Sequence, residues 1–147
     1  VELRTRRVVE EKVPILGICL GMQLLTNGSE EGEPSPGLGW IDAQTVRFRF
    51  DEGVRLKIPH MGWNTVRVMQ PHPLFPEPER ARRFYFVHSY HVVCRDPANV
   101  LTRTTYGFEY TSSIVRENII GTQFHPEKSL RYGMEVMKHF VEDIAER

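Results

Sequence analysis

A cysteine sits between two glycines at Gly17-Ile18-Cys19-Leu20-Gly21, and a histidine and a glutamate stand two apart at His125-Pro126-Glu127. A thiol becomes a nucleophile when a base takes its proton, and the base works best when a third group holds its tautomer. The pattern G-x-C-x-G suits a sharp strand-to-helix turn that lifts the nucleophile out of the chain. On that geometry Cys19 stands at a helix N-terminus, where the dipole favours a thiolate. The backbone N–H of Leu20 is then available to an oxyanion. Both glycines are expected to be needed, because side chains there would collide with adjacent elements. In extended chain residues two apart face one side, so His125 and Glu127 are expected to lie together. The plainer readings stay open: a buried cysteine beside flexible glycines, and a solvated glutamate near a strand-end histidine.

Other combinations carry less. Four histidines, His60, His72, His88 and His91, invite a metal reading, but no Cys-x-x-Cys or His-x₃-His pair supports them. His88 and His91, three apart on an expected strand, would point to opposite faces. Cys94 beside Arg95 reads as packing, with oxidation sensing the lesser alternative. No glycine-rich phosphate loop is evident, so a nucleotide is not expected, and no motif in the chain implies another cofactor or a metal.

These residues need elements to position them. The polar first dozen residues read as helix, ended by Pro14. Ile15-Leu16-Gly17-Ile18 reads as a strand buried on both faces, and Gly21 to Leu25 as a helix stopped at Asn27-Gly28. Residues 29–39 read as loop. Thr45 to Phe50 alternates at period 2, and Phe84 to Val93 reads as one aromatic, β-branched strand. Residues 71–83, with four prolines, read as a surface connection. Glu109–Val115 and Asn118–Phe124 read as a hairpin around Arg116-Glu117. At the end, Met134, Met137, Phe140 or Val141, and Ile144 recur at helical spacing. The class is α/β with a strand-rich second half.

The whole-chain numbers agree. The chain has 147 residues, 40% hydrophobic and 26% charged, which suits a single globular domain spanning 1–147. With 19 Lys+Arg against 19 Asp+Glu there is no basic surplus for nucleic acid. No apolar run reaches the roughly 18–20 residues of a membrane span. Two cysteines and no signal-peptide pattern suggest a reducing, cytoplasmic setting.

Taken together, GICLGMQLL, SEEG and FHPEKS resemble the class I (triad) glutamine amidotransferases. The segments GLGWI, PHMGWN and FYFVHSY resemble the branch of that family serving imidazole glycerol phosphate synthase in histidine biosynthesis. The likeness runs from about Val13 to the end. It implies a flavodoxin-like three-layer fold, with Cys19 as nucleophile, His125 as general base and then acid, and Glu127 as its orienter. It implies L-glutamine as substrate, contacted by Gly21, Gln23 and Glu31 and by the backbone at Ser89 and Tyr90. It also implies a heterodimer with a (β/α)₈ cyclase subunit that receives ammonia, faced by His60, Met61, Trp63, Asn64, Tyr85 and Lys128. Family members begin with a βα unit and a glycine-rich loop carrying a second oxyanion donor. The chain opens without Met and in mid-helix, so the resemblance implies a domain incomplete at its N-terminus. Two alternatives remain: a paralogous amidotransferase feeding another acceptor, such as a surface sugar, and an inactive partner-binding fragment.

Overall fold

The computed structural model describes residues 2–30 and 35–146. The polar start forms α1 (Glu2–Thr5), continued by wider helical turns over Arg6–Glu10. Then come β1 (Ile15–Ile18) and α2 (Leu20–Leu24), as the sequence predicts. Next are the two-residue strands β2 (Gly28–Ser29) and β3 (Ser35–Pro36), β4 (Ala43–Arg47), β5 (His60–Thr65) and β6 (Arg67–Val68). The second half holds β7 (Arg83–His88), β8 (Tyr90–Cys94), β9 (Val100–Tyr106), β10 (Phe108–Arg116) and β11 (Ile119–Thr122). It closes with α3 (Leu130–His139), extended by wider turns over Phe140–Ala145.

The main sheet runs β1-β11-β10-β8-β4-β2-β3, with β9 on β10 and β6 on β9, while β5 and β7 form a separate two-stranded sheet. Among the described pairs only β1–β11 and β2–β4 are parallel. Adjacent residues of the central strands feed opposite faces, as strand geometry requires. Ile114 and Ile119 pack with Val8, Met22, Leu25 and Trp40 on one side. Val115 and Ile120 pack with Phe84, Phe86, Phe124 and Val136 on the other. The result is three layers: the N-terminal helices, the main sheet, and the small sheet with α3. No helix among the described residues is long and apolar enough to cross a membrane.

Several sequence expectations are corrected. β1 is only half-buried apart from Gly17, because β11 is its one hydrogen-bonded neighbour among the described strands. The strand expected over Phe84–Val93 breaks at Ser89, where the chain leaves the small sheet and enters the main one. That break overturns the opposite-face reading of His88 and His91, since both rings pack within 5.1 Å of the Phe48 ring. The strand expected over Thr45–Phe50 begins and ends earlier, at Ala43 and Arg47. On α3 the buried side runs through Gly133 and Val136, with Phe140 and Ile144 packed behind. Met134 points outward instead, 74% exposed.

Candidate active site

Cys19 lies between β1 and α2 and caps the start of α2 with φ 52° and ψ −105°, a conformation non-glycine residues rarely hold. Its N–H donates to the Thr122 carbonyl at 2.7 Å, continuing the parallel β1–β11 ladder by one residue. The turn is tight at Gly17, where a Cβ would lie 2.7 Å from the Gly21 carbonyl oxygen. Gly21 is different: a Cβ there meets nothing within 4 Å, so space does not require the second glycine. α2 has only five residues, so its dipole is too short to be the main support of a thiolate. Leu20, its first residue, carries one of the N–H groups that a helix leaves without an internal acceptor.

One strand ties the cysteine to the histidine. In an antiparallel pair, alternate residues turn their backbone groups away from the partner strand. On β7 those residues are Tyr85 and Val87. The Cys19 thiol donates to the Val87 carbonyl at 3.8 Å, and the His125 N–H donates to the Tyr85 carbonyl at 3.0 Å. Carbonyls two residues apart on a strand are roughly 7 Å apart, so β7 holds both groups in one neighbourhood. Glu127 Oε1 accepts from His125 Nδ1 at 2.7 Å. The chain at this point is not extended: Pro126–Lys128 form a tight helical turn, and that turn brings the carboxylate back to the ring. Ser129, fully buried, clamps the turn. Its hydroxyl donates to the His125 carbonyl at 2.6 Å and accepts from the Tyr85 N–H at 2.9 Å.

Beside Cys19 lies a cleft of about 530 Å³, in the range that holds small molecules. Cys19, Leu20, Gln23, His88, Ser89 and Tyr90 line it, together with Arg47, whose guanidinium sits 5.8 Å from the Tyr90 ring centre. Gln23 is buried, and it also lines a smaller neighbouring hollow. Gly21 does not line the cleft. Glu31 lies outside the described residues. Its neighbour Glu30 is held below the usual carboxylate range by the Arg47 N–H and then by Arg49. Burial pushes His88 down to about 3, so the cleft wall carries an uncharged imidazole at neutral pH.

Residues 2–144 match the class I glutamine amidotransferase family. The chain belongs to that family. This amidotransferase chain is 50% identical to imidazole glycerol phosphate synthase subunit HisH 2 of Methanococcus maripaludis, over 96% of this chain and 68% of that protein. It is 47% identical to the HisH 2 of Pseudomonas aeruginosa, over 97% of this chain and 69% of that protein. The HisH 1 of M. maripaludis is 48% identical, with 90% and 63% covered. The chain thus spans about two thirds of the length of these curated relatives. Among solved structures, one glutamine amidotransferase superposes with a TM-score of 0.69 at 19% identity, covering 99% of this chain and 68% of that one. Another, from Thermotoga maritima, gives 0.58 at 19% identity, covering 98% and 54%. At that identity the likeness speaks for the fold alone.

The remaining expected positions of this amidotransferase domain divide between surface and interior. Met61 and Trp63 are 61% and 45% exposed on β5, and Trp63 packs edge-on against Tyr85. Lys128 is exposed on the turn after His125. His60 corrects the surface reading of that strand: it is buried, with Nδ1 3.1 Å from the Tyr110 hydroxyl and 3.2 Å from His88 Nε2. Asn64 is half-buried and donates to the Thr105 carbonyl. Among the described residues, no group of three metal-ligating side chains is placed to hold an ion. Burial pushes the Cys94 thiol up to about 11, which fits packing. Sequence reading did not single out Gln123, Ser129 or Arg47. For the first two the signal was only their place beside His125.

Proposed function

We propose that this chain is the glutaminase part of an imidazole glycerol phosphate synthase, hydrolysing L-glutamine to glutamate and ammonia in the cytoplasm. The observation that carries the reading is β7, which takes the Cys19 thiol on Val87 and the His125 N–H on Tyr85 while Glu127 orients the imidazole. Cys19 gives its proton to His125, and the thiolate attacks the side-chain amide carbon of glutamine. The oxyanion that forms takes a hydrogen bond from the Leu20 N–H. Collapse breaks the C–N bond, and His125 delivers its proton to the departing ammonia, leaving a γ-glutamyl thioester. His125 then takes a proton from water, whose oxygen attacks the thioester and releases glutamate, and the thiolate leaves. Glu127 keeps the Nδ1 proton in place and steadies the imidazolium throughout. Gln23, Ser89 and Tyr90 hold the amino-acid end of the substrate, with Glu31 meeting the α-amino group, while Gly21, outside the cleft lining, serves only the turn that carries Cys19.

Ammonia passes to a (β/α)₈ cyclase subunit docked on Met61, Trp63, Tyr85 and Lys128, in a heterodimer serving histidine biosynthesis. His60 and Asn64 act behind that surface and hold its strand. A second reading is delivery of ammonia to another acceptor by a paralogous subunit. The test is glutamate release from glutamine by this chain alone and with a cyclase subunit. Turnover should depend on Cys19, vanish in Cys19→Ala and rise with the partner. Turnover that survives Cys19→Ala would refute the reading, and stimulation by a non-cyclase synthase would favour the second one.

A further inference from the structure

Gln123 is fully buried on the stretch between β11 and His125, and its Nε2 donates to Cys19 Sγ at 3.7 Å. Its other end is unusual: Oε1 is buried and finds no hydrogen-bond partner among the described residues. A buried polar atom left unpaired destabilises the fold, and its survival calls for an explanation. An apolar side chain of the same length would fill that space without the unpaired oxygen. The amide is therefore a poor choice for packing and a good one for the sulphur beside it.

The contacts of the sulphur with Val87 and Gln123 behave differently when the thiol ionises. The Val87 carbonyl accepts the S–H proton, so it favours the thiol and faces a thiolate with the wrong end of its dipole. The Gln123 N–H favours the charged form, since hydrogen bonds to an ion are about twice as strong as neutral ones. We infer that Gln123 is a positioning residue that holds Cys19 Sγ with its side-chain amide and stabilises the thiolate. The inference rests on Cys19 being the nucleophile, as proposed above. Among the described residues, the titratable or charged groups lining the cleft with Cys19 are Arg47 from β4, His88 from β7 and Tyr90 from β8, while His125, paired with Glu127, is held on the Tyr85 carbonyl of β7. None of them is altered in the variant below.

The test is the pH dependence of Cys19 alkylation by iodoacetamide in the folded protein, wild type against Gln123→Met, with Cys19→Ala as blank. The thiolate alone reacts, forming a thioether and releasing iodide, so the midpoint reports ionisation without any glutamine turnover. Gln123→Met should move the midpoint up by about one pH unit. A purely structural role would lower the unfolding temperature and leave the midpoint in place, which would overturn the inference. A second measurement needs no variant. The Gln123 side-chain amide resonance of selectively labelled wild type should titrate with the alkylation midpoint, and a resonance that ignores Cys19 ionisation overturns it equally. Failure of the glutaminase reading shows instead as turnover in Cys19→Ala, so the two are separable.

Discussion

A methyl group added at Gly17 would lie 2.7 Å from the carbonyl oxygen of Gly21 and 3.0 Å from the Met22 nitrogen, all backbone that cannot swing aside. Gly17→Ala should therefore cost about 1–3 kcal/mol through overpacking. At roughly 2–4 °C per kcal/mol for a chain of this size, thermal unfolding would drop by several degrees. Gly21→Ala adds a methyl into open space within a helix, where alanine is the better residue by about 0.5–1 kcal/mol. Its unfolding temperature should hold or rise. The reverse order for the two variants would show that the turn is not limited by the contact at Gly17. The motif was legible in the sequence because the five residues carry their own geometry. The difference between its glycines was not, because it depends on where α2 folds back over β1.

At the scale of elements, His125, the proposed general base, is held by a small knot of hydrogen bonds centred on the Ser129 hydroxyl. α3 closes over that knot: the Gly133 N–H donates to the Ser129 carbonyl, and a Cβ at Gly133 would sit inside the Pro126 carbonyl. Ser129→Ala would leave the Tyr85 N–H without its acceptor and the His125 carbonyl without one of its donors. The cost should be about 1–3 kcal/mol in chemical unfolding, together with a fall in kcat for glutamine larger than any change in KM. A variant that loses stability but keeps kcat would place the clamp outside the chemistry. This part of the site was hidden from sequence reading. The serine appears in FHPEKS, but its partner Tyr85 is 44 positions away, and nothing local announces the pairing. The break at Ser89 was hidden for the same reason. Phe84 to Val93 is uniformly strand-like, and only the change of partner from β5 to β4 divides it. The β10–β11 hairpin was legible because its two strands and its turn are contiguous.

At the scale of the molecule, the interior between the main and small sheets carries several buried histidines. Burial lowers His60 and His91 to about 4 and His88 to about 3, from an ordinary value of 6.5. The unfolded chain protonates them near 6.5, whereas the folded chain resists until pH 3–4. Between those limits the unfolded state holds more protons. Stability is therefore full above about pH 7 and falls as pH drops towards 4, by up to about 1.4 kcal/mol per unit for each histidine. The urea midpoint should fall steadily between about pH 7 and about pH 5. A level midpoint across that range would mean that these rings are not shielded in solution.

The β1–β11 ladder also bears on how the chain comes to be reactive at all. Cys19 and Gln123 stand 104 positions apart, and the parallel register that joins their strands is formed only by that distant pairing. Closing so long a loop is among the costlier and later steps of folding. A nascent or partly collapsed chain therefore presents Cys19 as an ordinary thiol, without the sulphur contacts from Val87 and Gln123. Exchange of the Cys19 amide hydrogen, bonded across the ladder to Thr122, times the arrival of the site rather than of its neighbouring helix.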